Sequence, residues 1–342
     1  MIHPLVSVHI ITYNHRPYIA QAIEGALQQQ TSFPLEIVIG EDCSTDGTRQ
    51  IVFDYQRQYP QAIRVITSEH NVGVHPNALR AYNACRGKYV AFCDGDDYWH
   101  DPHKLQRQVD FLETHPGYSL VHTDADWLVD ATGEVTPCWH KTHGHAIAQG
   151  DVYERLLVDN HIMTCTVCVR KECLDRCLND PAAVRGDDRI VGDYPRWLLL
   201  STRSKVGYLN VSTATRRVLT HSASKSPHPD RNFALFLEMY GIREHFIRFH
   251  PPSPHIQAQI HRNYHQGRLK HGYLMRDVRI ARDSYRCLAN AGLLSVTGRL
   301  HLLGSKGRAH HAVARTLLAL KDAVRQGQQA VAGWTRPRRA AG

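Results

Sequence analysis

Three short apolar runs, each broken off by a polar loop, constrain this chain more than any other feature. Val6 to Ile11 (VSVHII) leads into Thr12-Tyr13-Asn14, and Leu35 to Ile39 (LEIVI) leads into Gly40 to Gly47 (GEDCSTDG). Tyr89 to Cys93 (YVAFC) leads into Asp94-Gly95-Asp96-Asp97. Runs of this length, rich in β-branched residues and without alternation, read as strands buried on both faces. Between them lie segments with helical spacing: one opening at Pro17 and carrying Ala22, Ile23, Ala26 and Leu27, then Thr48 to Tyr59, and Asn77 to Cys85. Ile63 to Thr67 reads as a further strand. Strands alternating with helices imply an α/β fold with a mostly parallel sheet covered on both faces. Ligands in such sheets bind beyond the carboxyl ends of the strands, where the three polar loops should meet.

Later segments are less regular. Ser119 to Thr123, Thr164 to Val169 and Lys205 to Leu209 read as strands, and Arg196 to Ser201 (RWLLLS) as a buried helix. After Ser226 the pattern becomes helical. The expected division is a catalytic domain over 1–225 and a basic helical region over 226–342, with Trp334 to Gly342 disordered.

Charge follows the same division. The whole chain of 342 residues carries +9, from 41 Lys and Arg against 32 Asp and Glu. From His261 onward there are 16 basic and 3 acidic side chains, or +13, which leaves a body of −4. At 42% apolar and 21% charged, the chain is not of the disordered class. No apolar run reaches the ~18 residues of a membrane span. The N-terminus lacks signal-peptide features, so nine cysteines in a reducing cytosol are expected as free thiols.

Asp94-Gly95-Asp96-Asp97 is the sharpest local signal. Three carboxylates in four residues repel one another unless solvent or a cation relieves them, and their hard oxygens suit Mg²⁺ or Mn²⁺. Gly95 permits close backbone approach. Glu41-Asp42 stands at the end of another strand. An Asp there can accept a hydrogen bond from a nucleobase N–H, or make an Asx turn or helix cap.

VSVHIITYN, EIVIGEDCSTDGT, NVGVHPN, GKYVAFCDGDDYW and HDPHKLQRQVDFLE together resemble family 2 glycosyltransferases of the GT-A fold. Within them the chain is most similar to the bacterial branch that builds capsule and O-antigen polysaccharide. The likeness runs from about Val6 to Ser226. It implies a metal-dependent inverting transfer of a sugar from a nucleoside diphosphate, UDP foremost, to a saccharide or lipid-linked saccharide acceptor. Thr12, Tyr13 and Asn14 match the first nucleotide loop, and Asp42 the acidic residue that bonds the base, with Glu41 beside it. Asn71, Gly73 and Asn77 match the segment near nucleotide and sugar. Asp94 is expected near the ribose or sugar, and Asp96 on the metal with Asp97 in support. Arg217 matches an arginine suited to phosphate.

Transfer to a hydroxyl needs a base on the acceptor side. Asp193, in GDYPRWL, matches the family's base segment; as the residue before an apolar helix it also fits an N-cap. Asp187 and Asp188 compete for the role. His221 is displaced by two from the place where relatives carry a metal-binding histidine; Leu219 stands there. Asn160 to Thr166 resembles the branch's acceptor-side strand. Cys165, Cys168, Cys173 and Cys177 invite a zinc reading, but their spacing favours buried thiols.

The basic tail has three readings: amphipathic helices lying on an anionic membrane surface, helices packed on the body with solvated arginines, and, a distant third, non-specific contact with nucleic-acid phosphates. The first would place the protein in the cytoplasm, peripheral on the inner face of the cytoplasmic membrane. No specific nucleic-acid partner is expected. Two rival functions stand beside the enzyme reading. One is a non-catalytic nucleotide-sugar-binding protein that docks through its tail. The other is a nucleotidyltransferase, which would need a Gly-rich loop where this chain has TYNHRPY.

Overall fold

The computed structural model describes residues 3–184, 192–220 and 228–334, with side chains to 322. Asp187, Asp188 and His221 lie outside the described residues, as does 335–342 from the segment expected to be disordered. The chain forms two compact units: Met1–Pro227 with Gly241–Pro252, and His228–Tyr240 with Ser253–Gly342.

The first unit is built on one sheet. Its strands are β1 (Val6–Thr12), β2 (Leu35–Glu41), β3 (Ile63–Ile66), β4 (Tyr89–Asp94), β5 (Tyr98–Trp99), β6 (Tyr118–Val129), β7 (Glu134–Thr136), β8 (Cys168–Arg170) and β9 (Lys205–Val218). They lie in the order β3-β2-β1-β4-β8-β6-β9-β5, with β7 on β6. The first four run parallel, and β8 pairs antiparallel with both β4 and β6. Val8, Ile10, Ile37, Ile39 and Ala91 are fully buried, as unbroken apolar runs require in a sheet covered on both faces.

Register decides where the loops go. Thr12 of β1 pairs with Glu41 of β2, and Ile11 of β1 with Asp94 of β4. All three strands therefore end level. The chain leaves β1 toward β2 on one side, while β4 lies on the other. A crevice at such a switch point receives the three polar loops.

Two expected elements differ. Thr164–Thr166 is a 3₁₀ turn, and the strand begins only at Cys168. The Thr166 hydroxyl donates back to Met163 O at 2.7 Å, and the Thr164 hydroxyl donates to a distant carboxylate. Such threonine bonds compete with a strand ladder. The helix expected from Asn77 begins earlier, at Val74, with Pro76 in its first turn, where a missing N–H costs nothing.

The second unit is helical. Pro254–Met275, Val278–Asn290 and Val296–Ser305 share a small core of Leu269, Ala281 and Leu288, flanked by Tyr285, Leu294 and Leu302. Asp277 and Ser295 cap the second and third of these helices through Arg279 N and Gly298 N. Arg308–Trp334 follows, with Ala314 buried but Val313, Leu317 and Leu320 exposed. Among the described residues, no helix is long and apolar enough to cross a membrane.

Candidate active site

The loops after β1 and β2 are clamped together. Asn14 takes a left-handed conformation (φ 54°), so that its N–H donates to Ser44 Oγ at 3.0 Å and its Oδ1 accepts from Thr45 N at 2.9 Å. Asp42 N donates to Thr12 O. Tyr13 stands 42% exposed above this platform, free to lie beside a flat ring.

Asp42 is buried and reaches the next segment. Its Oδ1 accepts from Val72 N and its Oδ2 from Gly73 N, both at 3.0 Å, and Arg80 pairs with it at 3.3 Å. Asn71 Oδ1 accepts from the same Gly73 N–H, and Gly73 sits at φ 93°, which suits glycine. Asp42, Asn71 and Gly73 thus form one rigid rim.

Two expected nucleotide contacts are turned inward instead. Glu41 is fully buried; its carboxylate accepts from Ser44 N, Cys43 N and Thr67 Oγ1, and so closes the loop after β2. Asn77, 2% exposed, donates to Gly40 O and accepts from Arg80, which ties its helix to β2. The physical reason is shared: buried polar backbone at a loop needs partners, and these side chains are the nearest.

The turn after β4 lies against the end of β1. Gly95 N donates to Ile11 O at 2.9 Å. A Cβ on Gly95 would stand 2.7 Å from Thr12 Oγ1 and 2.9 Å from His15 Nδ1, so only glycine fits. The carboxylates are crowded. Burial first, then the neighbouring Asp96, Asp97 and Asp193, push Asp94 well above the usual carboxylate range. Burial and Asp96 push Asp97 up to about 7. Buried, mutually repelling hard oxygens fit a divalent cation, which would relieve them.

Arg217 holds this turn in place. Its backbone N–H donates to Asp97 and its Nε to Asp96 O. Its guanidinium also pairs with Asp130 at 3.1 Å, donates to Gln21, and lies over the ring of Tyr18. The side chain expected to meet phosphate is therefore a brace between protein groups. Its neighbour Arg216 is the arginine whose charge pulls Asp94 and Asp97 back down. Successive residues of β9 point to opposite faces, so a lone RR pair in sequence gave no way to choose between them.

Asp193 caps the helix Tyr194–Ser201, accepting from Tyr194 N at 2.7 Å through Oδ1. Its Oδ2 accepts from Thr164 Oγ1, also at 2.7 Å. Cap and base are not exclusive, since each oxygen keeps a lone pair. The charge of Asp193 helps to raise the pKa of Asp94, which puts the candidate base in the neighbourhood of the acidic turn.

Sequence reading placed Thr164 in the acceptor-side segment but not against Asp193, and it missed Lys104. Lys104 is fully buried beneath the site, donates to Gln108 at 2.6 Å and lies over Trp99; burial lowers its pKa to about 8. The indole N–H of Trp99 donates to Cys165 O at 2.8 Å, fastening β5 to the 3₁₀ turn that carries Thr164. Cys165, Cys168 and Cys177 are buried free thiols whose pKa burial raises, and Cys173 is half-buried.

Comparisons with known proteins agree with this geometry. Residues 7–160 match the model of glycosyl transferase family 2. An uncharacterized protein of Mycobacterium tuberculosis is 46% identical over 111 residues, which is 32% of this chain and 32% of that protein. The match thus spans about a third of that relative's length. The fold is shared with S. aureus TarS 1-349 in complex with UDP (TM-score 0.59, 18% identity, 94% of this chain and 91% of that one). It is also shared with the mannosyltransferase PcManGT from Pyrobaculum calidifontis in complex with GDP-Man and Mn²⁺ (TM-score 0.56, 16% identity, 92% and 86%). Residues 7–160 are thus similar to glycosyl transferase family 2, and the sheet with its level set of acidic strand ends shares the fold of these solved structures.

Proposed function

We propose that the protein is a metal-dependent inverting glycosyltransferase. It moves a sugar from a nucleoside diphosphate, with UDP as the leading donor, to a saccharide or lipid-linked saccharide acceptor in cell-surface polysaccharide synthesis. One observation carries the proposal: the carboxylates of Asp94, Asp96 and Asp97 crowd together where β4 ends, level with the ends of β1 and β2, and the charge of Asp193 reaches Asp94. The family match and the Mn²⁺ in the Pyrobaculum calidifontis complex support the same reading.

The residues divide the work as follows. Tyr13 covers the base, with Thr12 and Asn14 shaping its loop, and Asp42 accepts from a base N–H on its remaining lone pair. Asp94 orients the ribose or sugar. Asp96 and Asp97 hold Mn²⁺ or Mg²⁺, with Gly95 keeping the turn close. The cation, when bound, neutralises the departing diphosphate. Asp193 takes the proton of the acceptor hydroxyl, while Thr164 and the Tyr194 N–H keep its carboxylate aimed. A base on the face opposite the leaving group gives inversion.

The donor is identified by a thermal-shift panel of nucleotide sugars with and without Mn²⁺. A shift for a nucleoside diphosphate sugar that requires Mn²⁺ is expected; equal shifts without the metal contradict the metal assignment. The exposed Val313, Leu317 and Leu320, one face of a helix that also carries Arg315 and Lys321, support a peripheral place on an anionic membrane. Flotation with anionic but not neutral vesicles tests it; no flotation with either removes the membrane from the account.

A further inference from the structure

A second constellation lies in the helical unit, among side chains that the proposed transfer does not use. His261 and His265 are one turn apart on the helix Pro254–Met275, so both project from the same face. Their Nε2 atoms stand 3.1 Å apart. Cys287, on the helix Val278–Asn290, completes a group in which one ligand atom from each residue lies within 4.8 Å of the others.

We propose that His261, His265 and Cys287 form a three-ligand site for Zn²⁺ that clips these two helices together.

Three features support it. The 3.1 Å separation is close to the edge of about 3.3 Å that two nitrogens span on a tetrahedral zinc with arms of ~2.0–2.1 Å. The thiol lies within 4.8 Å of both histidine ligand atoms, so at most about 1 Å of movement brings it to its own place at ~2.3 Å from the metal. His265 has the outer partner that metal-bound histidines have: its Nδ1 meets the hydroxyl of the buried Ser284 at 3.0 Å, which fixes the ring and points Nε2 at the site.

The donor set selects the ion. Two imidazoles and a thiolate suit Zn²⁺ and exclude Mg²⁺ and Mn²⁺, which need oxygens. The site is thus chemically separate from the acidic turn. On binding, the Cys287 thiol loses its proton to solvent and a zinc–sulfur bond forms. With three protein ligands, the fourth position is left to water or to an external donor. The half-buried Cys287 and exposed His261 allow the ion to enter.

The test uses the full chain, stripped of metal and titrated with Co²⁺ as a spectroscopic stand-in for zinc. One equivalent should produce a thiolate-to-cobalt charge-transfer band with tetrahedral d–d bands, displaced by Zn²⁺ but not by Mg²⁺. Cys287→Ser should abolish the charge-transfer band. His261→Gln, at an exposed position where folding is not at risk, should weaken Co²⁺ binding at least tenfold. Equimolar Zn²⁺ should raise the melting temperature of the unaltered chain and leave Cys287→Ser unmoved. Absence of the band overturns the proposal. So does a band that survives Cys287→Ser, because another cysteine would then be the ligand. None of these readouts depends on glycosyl transfer.

Discussion

The backbone N–H of Arg217 donates to the carboxylate of Asp97 at 2.7 Å, across 120 residues of sequence. The bond fastens the acidic turn after β4 to β9, so the turn's shape is set by the far end of the domain. Asp97→Asn keeps an oxygen acceptor for this N–H, whereas Asp97→Ala leaves it buried and unpaired. The alanine variant should therefore lose about 1–3 kcal/mol of stability and the asparagine variant much less. Denaturant unfolding measures the difference; equal loss in both variants would mean that the bond contributes nothing.

Thr164 is a positioning residue for Asp193. Its hydroxyl holds Oδ2 at 2.7 Å, while the helix cap holds Oδ1. Thr164→Val should lower kcat about tenfold and leave the donor KM unchanged, the pattern of an interaction that acts on the reacting group alone. Thr164→Ser should restore the rate. A KM effect of the same size, or no rescue by serine, would assign Thr164 to packing.

Acid should unfold the sheet unit through buried histidines. Burial pushes His9 and His161 down to about 4, whereas the unfolded chain takes up these protons near 6.5. Between those values the unfolded state binds more protons, so stability falls as pH drops from about 6.5 to 4. Each histidine contributes up to about 3 kcal/mol of that loss. His161→Leu should flatten the stability–pH curve over this window without changing it above pH 7. A curve with unchanged slope counts against His161 as a source.

The sheet was legible because its strands are unbroken apolar runs, and the strand-end rule then located the crevice without any side-chain information. Asp94, Asp96 and Asp97 stood out because an acidic turn directly follows a buried strand, whereas Asp193 was singled out by the family resemblance, since a carboxylate before an apolar helix is as readily an N-cap. Glu41, Asn77 and Arg217 were harder. Their chemistry suits a ligand, yet each satisfies buried backbone or a neighbouring carboxylate, and sequence does not reveal which loop needs a partner. Thr164 was hidden inside a run that reads as a strand, because its own hydroxyl bond helps to break that strand. The His261, His265 and Cys287 group was invisible for another reason. It depends on how two helices pack, and 24 histidines in the chain conceal any one pair.

The central claim is that the acidic turn and Asp193 perform different halves of one transfer. Product analysis with a nucleoside diphosphate sugar, Mn²⁺ and a saccharide acceptor tests it most directly, on the unaltered chain, Asp96→Ala and Asp193→Asn. The account predicts acceptor-dependent release of free nucleoside diphosphate by the unaltered chain. It predicts at least a hundredfold loss in both variants, with donor binding kept in Asp193→Asn and weakened in Asp96→Ala. Undiminished release by Asp96→Ala, or pyrophosphate as the product, would contradict it.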